Sequence, residues 1–489
     1  MAIDVNLIDK KAVSYFRFKR FNGSYLVTND VGEYCFLKPG WFNSFIKGEI
    51  NEIMKQDEVK YDELINKSFV RNKLDFDKLI AKYANKHDFL SRGTSLHIIV
   101  VTLRCDHKCA YCQANSGGIK TAGLDMDIPT AKSVVDKIFE FPAPEITIEF
   151  QGGEPLLNFN TVKFIIEYAK KKNKNKEKKL TLSLVSNLSC LTDEILKFLI
   201  KNDVSICTSL DGPEHIHNRN RVSLNKNINS YRNTVKWLRK IKIEFEKTGF
   251  KHRPNALLTV TNRCFGHSKE IIDEYIKGGL DCIHLRPLST FALAPKADSL
   301  AYSWGEFIEF YKESLDYILE LNLKGSNFYE RTAFIFLYKI LTDYDPGYMD
   351  MRSPCGAGIG QVAYNYNGDI YTCDEGRMLS RLGDESFKVG NVKTDTYKNI
   401  IEHPTVKAMC ISSCLDNIPE CSQCVYKPYC GVCPLLNYTE SKNIFQPFNG
   451  RCKINGAILD YLFEKLQNSQ YKNIFERWVK DCTKGKAAL

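Results

Sequence analysis

Three cysteines stand in one short loop directly after an apolar, strand-like run. The run covers residues 96–104, and Cys105, Cys109 and Cys112 follow it with three and then two residues between them. Three thiolates can hold three irons of a [4Fe-4S] cube and leave the fourth open, whereas structural zinc takes four protein ligands. The loop therefore predicts an iron–sulfur site with one open iron; a zinc loop completed by His107 or a distant residue is the alternative.

Composition favours metal or cluster ligation over disulfides. The chain has 489 residues and 18 cysteines, and its first residues are polar with no long apolar run, which predicts a cytoplasmic protein without a membrane partner. A reducing compartment argues against a disulfide framework. The net charge of +10 comes largely from a lysine run at 170–179, typical of a solvated loop, so no nucleic-acid partner is expected.

Periodicity predicts an α/β fold of several domains. Short apolar strands alternate with amphipathic helices after residue 96, which is typical of a parallel sheet covered on its faces. The predicted strands are 96–104, 146–150, 180–187, 204–210, 256–261 and 282–288, and the clearest helices are 129–139, 162–171 and 192–201. Six such units indicate a partial (β/α)6 barrel with its chemistry at the carboxyl ends of the strands.

A smaller α+β module precedes the barrel. Residues 25–37 read as a hairpin around an Asn-Asp-Val-Gly turn, and helical patterns follow at 41–50 and 61–69. Beyond about residue 350 the periodicity fades and cysteines crowd together, as expected for a region held by metal instead of a large core.

The first cysteine loop resembles the hallmark of the radical S-adenosylmethionine (SAM) superfamily. The resemblance implies that the amino and carboxylate groups of SAM bind the open iron. Reductive cleavage then gives methionine and a 5'-deoxyadenosyl radical.

Further motifs follow in the order that this resemblance needs. Gly152, Gly153 and Glu154 come after the second strand, where glycines let backbone approach a ligand and a carboxylate can accept from an ammonium group. They resemble the superfamily's GGEP motif, which contacts the SAM amino group. By similarity Ser186 and Asn187 would lie near the ribose and Arg221 near the SAM carboxylate.

A second set of cysteines resembles the SPASM domain of peptide-modifying radical SAM enzymes. Twelve residues separate Cys355 from Gly368, and four more separate Gly368 from Cys373. Four closely spaced cysteines follow, and then a fifth eighteen residues later: Cys421, Cys424, Cys430, Cys433 and Cys452. The usual pattern has three residues between its last two clustered cysteines, and here there are two. A zinc ribbon is the structural alternative.

The SPASM pattern assigns these cysteines to two auxiliary iron–sulfur clusters, expected to be [4Fe-4S]. One cluster takes Cys421, Cys424, Cys430 and Cys452. The other takes Cys355, Cys373 and Cys433, with Cys414 as candidate fourth ligand, Cys410 as second choice and an iron open to substrate as the rival. The remaining cysteines are expected to be small buried hydrophobes: Cys35, Cys190, Cys207, Cys264, Cys282 and Cys482.

Longer stretches resemble the His-Xaa-Ser system radical SAM maturases of the B type. They are residues 15–30, 96–105, 285–289 and 424–434. The resemblance implies a ribosomally made substrate with His-Xaa-Ser motifs, modified by a crosslink, and a second radical SAM protein. An electron donor such as flavodoxin or ferredoxin would supply the reductant. The implied domains are 1–93, a radical SAM barrel at 94–345, SPASM at 346–455 and a helical tail at 456–489.

Several hypotheses stay open on the sequence alone. The first module is either a winged-helix-like precursor clamp with an edge for strand addition or a packing extension of the barrel. Asp211, Arg286 and Asp374 are candidates near the pocket, without a role that the sequence assigns. A sulfatase-type maturase that makes formylglycine is the nearest alternative function, and a zinc-rich scaffold without catalysis is the alternative of another class.

Overall fold

A computed structural model describes residues 8–250, 252–289 and 297–483. The strands are β1 (Arg17–Phe21), β2 (Ser24–Thr28), β3 (Tyr34–Leu37), β4 (Leu96–Thr102), β5 (His107–Cys109), β6 (Glu145–Gly152), β7 (Lys179–Val185), β8 (Val204–Ser209), β9 (Arg221–Ser223), β10 (Asn255–Thr259), β11 (Cys282–Ile283), β12 (Leu285–Arg286), β13 (Tyr329–Glu330), β14 (Gln361–Tyr364), β15 (Asp369–Tyr371) and β16 (Lys388–Asn391).

Helices follow the same chain order. They are α1 (Pro39–Ile46), α2 (Ile50–Gln56), α3 (Glu58–Asn66), α4 (Phe76–Lys86), α5 (Ile128–Ile138), α6 (Phe159–Asn173), α7 (Asp193–Lys201), α8 (Glu214–Asn220), α9 (Ser230–Thr248), α10 (Ser268–Lys277), α11 (Trp304–Leu323), α12 (Arg331–Leu341), α13 (Asp374–Ser380), α14 (Tyr397–Ile401), α15 (Pro404–Ser413), α16 (Pro419–Ser422), α17 (Pro434–Ser441), α18 (Asn449–Leu466) and α19 (Ser469–Thr483). No helix in the described ranges is long and apolar enough to cross a bilayer.

The first module is a three-stranded antiparallel sheet backed by short helices. The predicted hairpin is β2 and β3, and β1 joins it through Asn22 and Gly23, whose positive φ angles of 45° and 78° suit a two-residue hairpin turn. One face of the sheet packs on α1 to α3 through an apolar cluster. Strand β1 was not predicted, because its sequence Arg-Phe-Lys-Arg-Phe mixes charge with apolar residues.

The opposite face of this sheet docks on the C-terminal cysteine region. Thr28 Oγ1 donates to the carbonyl of Val425 (2.7 Å), and Tyr429 OH donates to the carbonyl of Gly32 (3.0 Å). Arg17 Nε donates to the carbonyl of Ser422 (2.7 Å). The module is therefore fixed to the cysteine run by bonds that are far apart in sequence.

The barrel strands lie in the predicted order but form part of a larger sheet. The order is β12-β10-β8-β7-β6-β4, all parallel, and it continues through β14, β15 and β16. The predicted sixth strand is divided into β11, which pairs with β13, and β12, which pairs with β10. The prediction of a partial parallel barrel is confirmed, and β14 extends it by pairing with β4, Val362 opposite His97.

One expected domain boundary falls inside a helix. The expected end of the cysteine domain at 455 lies within α18, which carries Cys452 near its start and buries Leu459 and Leu462 farther along. These leucines join a core that also contains side chains of α11, α12 and α19. Cys452 is thus held by a helix anchored in the barrel's neighbouring core.

Candidate active site

The first cysteine loop is clamped at the carboxyl ends of the barrel strands. β4 ends at Thr102, and Cys105 lies buried just beyond it. The loop then forms β5, which pairs antiparallel with β9 so that Cys109 lies opposite Arg221. This short ladder fixes the loop against the segment that follows α8.

His107 is committed to hydrogen bonds instead of completing a zinc site. Its Nδ1 lies 2.9 Å from Asp106 Oδ1, and its Nε2 lies 3.0 Å from Ser230 Oγ. Ser230 Oγ is equally close, 3.0 Å, to Nε2 of the buried His217. With both ring nitrogens engaged, His107 does not serve as the fourth ligand of this loop, which weakens the zinc alternative.

The donor set fits a cluster held by thiolates. The backbone N–H of His107 donates to Cys105 Sγ (3.4 Å), and Asn187 Nδ2 lies 4.0 Å from the same sulfur. Burial raises the pKa of Cys109 to about 11, although the Arg221 guanidinium acts in the opposite direction. Buried thiols of this kind are poor free nucleophiles, whereas metal ligation deprotonates them outright. Amide donors around sulfur are a means by which proteins tune such clusters.

The glycines of the predicted GGEP motif are required by protein backbone. A Cβ on Gly152 would lie 2.2 Å from the carbonyl oxygen of Thr102, and one on Gly153 would lie 2.2 Å from that of Arg104. Gly153 N–H donates to Thr102 O (2.9 Å), and Glu154 N–H donates to Arg104 O (2.8 Å). The close approach inferred from the sequence is therefore an approach to the strand that leads into the cysteine loop.

Glu154 ties the motif to the end of β7. The fully buried carboxylate accepts from Ser186 Oγ (2.8 Å), from the N–H of Asn187 (2.8 Å) and from the N–H of Leu156 (3.0 Å). Burial raises the pKa of Glu154 to about 7, against these three bonds, which favour the ionised form. The predicted residues Glu154, Ser186 and Asn187 thus form one network, in which Asn187 also donates through Nδ2 to Asp106 (2.8 Å).

Arg221 is positioned by a residue that the sequence did not reveal. Its Nη1 donates to Tyr111 OH (2.8 Å), and Tyr111 OH donates to Asp211 Oδ2 (2.6 Å). Tyr111 belongs to the cysteine loop, so Asp211, in the β8–α8 loop, and Arg221 are both linked to that loop. The candidate Asp211 is completely buried, and burial raises its pKa.

Polar side chains line the inside of the barrel. Alternate residues on β6, β7, β8 and β10 are buried against the helices, while the residues between them are partly exposed. The partly exposed set is mostly polar and comprises Thr147, Glu149, Gln151, Thr181, Ser183, Val185, Ser205, Cys207, Ser209, Asn255, Leu257 and Thr259. A closed barrel fills this space with branched apolar residues. Here the strands enclose a water-accessible lumen.

Charged groups stand where the lumen meets the C-terminal region. Burial lowers the pKa of the Arg286 guanidinium on β12, but Tyr348, Glu375 and other acidic neighbours together outweigh burial, so the net shift of this pKa is upward. Burial raises the pKa of Glu149, while the nearby Arg331 lowers it. Asp374 instead accepts from Arg377 Nε (2.7 Å) in a buried ion pair. Of these two predicted candidates, Arg286 therefore belongs to the lumen and Asp374 to a structural pair.

The predicted second auxiliary set comes together as four thiols. Burial, together with the neighbouring thiols of Cys430, Cys424 and Cys452, raises the pKa of Cys421 to about 12. Asn455 Nδ2 lies 3.6 Å from Cys430 Sγ, and Tyr426 N–H donates to Cys424 Sγ (3.4 Å). The set joins α16, the following loop and α18, and four thiols with amide donors fit an iron–sulfur cluster.

The predicted first auxiliary set comes together as three thiols. Cys355, Cys373 and Cys433 pack in one apolar cluster with Met409 and Leu435. Cys373 Sγ accepts from the N–H of Gly376 (3.4 Å) in the first turn of α13. Burial raises the pKa of Cys433, and Cys355, Asp350 and Glu375 raise it further. Glu375 and Asp350 are therefore the acidic neighbours of Cys433 in this three-thiol group.

The structure does not bring Cys414 into this group. Cys414 follows the last residue of α15, and its Sγ lies 3.9 Å from Asp416 Oδ2. α15 presents Met409 to the group, and also Ser413, whose Oγ accepts from the N–H of Cys355 (2.9 Å). Cys410 lies beside Cys414 and Arg352. Among the described residues, neither cysteine packs in the apolar cluster of Cys355, Cys373 and Cys433.

The remaining cysteines follow the expectation only in part. Cys35 and Cys264 are fully buried, as expected. Cys190 is half-buried, and Cys207 and Cys282 are half-buried beside Arg331 at the lumen, where they are accessible. The side chain of Cys482 lies outside the described residues.

Family models match the two cysteine regions separately. Residues 99–262 match the radical SAM superfamily, and residues 355–425 match SPASM, an iron–sulfur cluster-binding domain. The cysteine-type anaerobic sulfatase-maturating enzyme of Clostridium novyi is 24% identical over 69% of this chain and 87% of its own length. The radical SAM cyclopropyl synthase TigE of Paramaledivibacter caminithermalis is 30% identical over 29% of this chain and 32% of its own length.

Solved structures share the fold. Native anSMEcpe with bound AdoMet and Cp18Cys peptide aligns with a TM-score of 0.64 at 22% identity, covering 78% of this chain and 99% of that chain. Streptococcus suis SuiB bound to precursor peptide SuiA aligns with a TM-score of 0.53 at 13% identity, covering 91% of this chain and 99% of that chain. A radical SAM domain implies a SAM-binding [4Fe-4S] cluster, and a SPASM domain implies auxiliary iron–sulfur clusters.

Proposed function

We propose that this radical SAM enzyme with a SPASM domain matures a ribosomally made peptide or protein, by forming a crosslink in a segment with His-Xaa-Ser motifs. The observation that carries the proposal is the polar lumen between two cysteine sites. The first loop stands at the strand ends, and Glu375 is an electrostatic neighbour of both Arg286 at the lumen and Cys373 in the group with Cys355 and Cys433. A peptide segment in this lumen would reach both sites.

The first loop holds the cofactor in this proposal. Cys105, Cys109 and Cys112 would bind a [4Fe-4S] cluster, which supplies reductive cleavage of SAM and hence a radical that abstracts hydrogen. Gly152, Gly153 and Glu154 hold the strand that enters the loop, and Asn187 places an amide beside Cys105. Arg221, oriented by Tyr111, offers a guanidinium to a carboxylate at the loop.

Mass spectrometry of a treated precursor tests this function. The anaerobically reconstituted enzyme, SAM and a strong reductant are expected to yield 5'-deoxyadenosine and to remove two hydrogens from one precursor while tying two residues together. Fragmentation by tandem mass spectrometry locates the crosslinked residues. Formation of 5'-deoxyadenosine without any change in precursors from the same gene neighbourhood would contradict the maturase proposal.

Formylglycine formation is the second candidate. The 24% identity to a cysteine-type anaerobic sulfatase-maturating enzyme extends over 69% of this chain and favours it. The same mass spectra separate the two reactions, because formylglycine alters a single Cys or Ser residue whereas a crosslink joins two.

We further propose that the first auxiliary site uses three cysteines and leaves its fourth position open. Cys433→Ala is expected to lower the iron content by about four atoms per chain, because a cluster cannot be retained by two thiolates. Cys414→Ala is expected to leave the iron content unchanged, since this thiol lies beside Asp416. Iron and sulfide analysis with Mössbauer spectroscopy measures both. Iron loss in the Cys414 variant would restore the fourth-ligand assignment made from the sequence.

The N-terminal module is proposed to bind the precursor by strand addition at β1. In this two-residue hairpin, Phe21 and Ser24 form a hydrogen-bonded pair. Because such pairs alternate along an antiparallel ladder, the backbone of Lys19 bonds to β2, whereas the N–H and carbonyl of Arg20 point away from β2. On β3, by contrast, Lys67 Nζ donates to the carbonyl of Tyr34 (2.8 Å). The exposed edge is therefore β1, with backbone groups available to an extended peptide.

Arg20→Pro is expected to weaken precursor binding by about tenfold or more, because proline removes the outward N–H of Arg20 while sparing the β1–β2 ladder. Arg20→Ala, which removes only the side chain, is the matched control and should bind within about twofold of wild type. Fluorescence anisotropy with a labelled precursor measures both. Equal affinity for the proline variant and wild type would favour the module as a packing extension.

A further inference from the structure

Two histidines and a glutamate converge where α8 and α10 begin, beyond the carboxyl ends of β8 and β10. His215 lies in α8, His267 directly precedes α10 and Glu270 lies in the first turn of α10. One ligand atom from each of the three lies within 4.8 Å of the others. The two imidazole rings meet edge to face with centroids 5.1 Å apart, and His267 Nδ1 lies 3.3 Å from Glu270 Oε1.

The backbone under these side chains is held in place by close packing. Gly212, at the end of the β8–α8 loop, has a φ of +102°, and a Cβ there would lie 2.7 Å from Cγ1 of Ile271. Ile271 is buried on α10, one turn after His267. The loop that leads to His215 is therefore pressed against the helix that follows His267. The exposed side chains of His215 and Glu270 and the half-buried His267 need only rotate to bring three donors to the spacing of about 3.3 Å that tetrahedral zinc requires.

The chemistry of the three donors selects the ion. Two imidazole nitrogens and one carboxylate suit zinc, whereas calcium and magnesium prefer oxygen ligands. The pair of His267 and Glu270 has an ordinary ion-pair explanation, because the two residues are three positions apart at the start of α10. That explanation leaves out His215, which lies in α8 and meets His267 edge to face.

We propose that His215, His267 and Glu270 bind Zn²⁺, with water as the fourth ligand on the solvent side. The ion would tie α8 to α10. It would thereby brace the β8–α8 loop, whose Asp211 accepts from Tyr111 of the first cysteine loop. This site requires neither the crosslinking reaction nor a particular precursor.

Zinc analysis of the reconstituted holoenzyme tests the proposal. After dialysis against micromolar Zn²⁺ and then metal-free buffer, wild type is expected to retain about one zinc per chain with its iron unchanged. His215→Ala and His267→Ala are expected to lower zinc affinity about 100-fold or more. His252→Ala is the matched control, because this histidine pairs with Asp203 elsewhere on the surface and should leave zinc binding unchanged.

X-ray absorption at the zinc edge distinguishes this site from thiolates. The expected first shell is nitrogen and oxygen at about 2.0 Å, without the sulfur distance of about 2.3 Å that binding to a cysteine site would give. Glu270→Gln provides a second variant that removes one exposed carboxylate and is expected to weaken zinc binding with the fold intact. Zinc held by sulfur, zinc retained equally by all variants, or no retained zinc would each overturn the proposal.

Discussion

Replacing Cys105, Cys109 and Cys112 together by alanine is expected to lower 5'-deoxyadenosine formation at least about 1,000-fold. The three thiols act as one unit, because the loss of any ligand from a three-thiolate site leaves the cube without its protein anchor. The iron content should fall by about four atoms per chain, while the auxiliary sites keep theirs. Anaerobic reconstitution, iron and sulfide analysis and chromatography of the SAM products measure these effects.

The separation of the cysteine sites makes this result specific. The four-thiol auxiliary set is held by α16, the loop that follows α16, and α18, and the N-terminal sheet bonds to that loop. Cys190→Ala is the matched control, since this half-buried cysteine lies close to Glu154 but outside the three-cysteine loop. Full 5'-deoxyadenosine formation by the triple variant, or loss of auxiliary iron along with the first cluster, would contradict the assignment.

The barrel was predictable because its strands carry a local signal. Each is a short apolar run bounded by turn or capping residues, as where Thr192 accepts from the N–H of Ile195 at the start of α7. The pairing of β14 with β4 could not be predicted from such local signals. It joins Val362 to His97 across more than two hundred residues, and only long-range packing selects that partner.

The sequence predicted the parts of the site that depend on short spacings between cysteines. It did not predict the contacts that depend on where a side chain points. The cysteine spacing indicated the loop, whereas Tyr111, which orients Arg221, stands between two cysteines without any signal of its own. Cys414 shows that sequence position alone does not predict which side chain the end of a helix presents. α15 ends at Ser413, whose hydroxyl accepts from Cys355, and the backbone of Cys414 is already extended, so its side chain lies beside Asp416.

The hydrogen bonds around Glu154 show that the motif residues position the cysteine loop through the backbone of residues 102–104. Their chain order suggested a common ligand, and in the structure several of them bond to one another. Ser186 and Asn187 donate to Glu154, and the backbone of Gly153 and Glu154 donates to residues 102 and 104. A perturbation of the glycines is therefore transmitted to Cys105 through two hydrogen bonds and one peptide unit.

Gly153→Ala is accordingly expected to destabilise the fold by about 2–4 kcal/mol and to lower SAM cleavage about 100-fold. The new Cβ would lie 2.2 Å from the carbonyl oxygen of Arg104, 2.7 Å from its carbonyl carbon and 2.9 Å from the carbonyl oxygen of Leu103. All three are backbone atoms, so no side chain can rotate away. Relief requires moving the strand end, which breaks the bonds from Gly153 to Thr102 and from Glu154 to Arg104.

Gly305→Ala separates this steric effect from the general consequences of replacing a glycine. Gly305 lies in the first turn of α11, where a Cβ would approach Ser303 Oγ no closer than 3.7 Å, an ordinary contact. Alanine there should be neutral or stabilising by about 0.5–1 kcal/mol. Urea unfolding followed by circular dichroism, together with 5'-deoxyadenosine formation, compares the two variants. If Gly153→Ala matched Gly305→Ala in both, the tight packing of the motif against residues 102–104 would not be what positions Cys105.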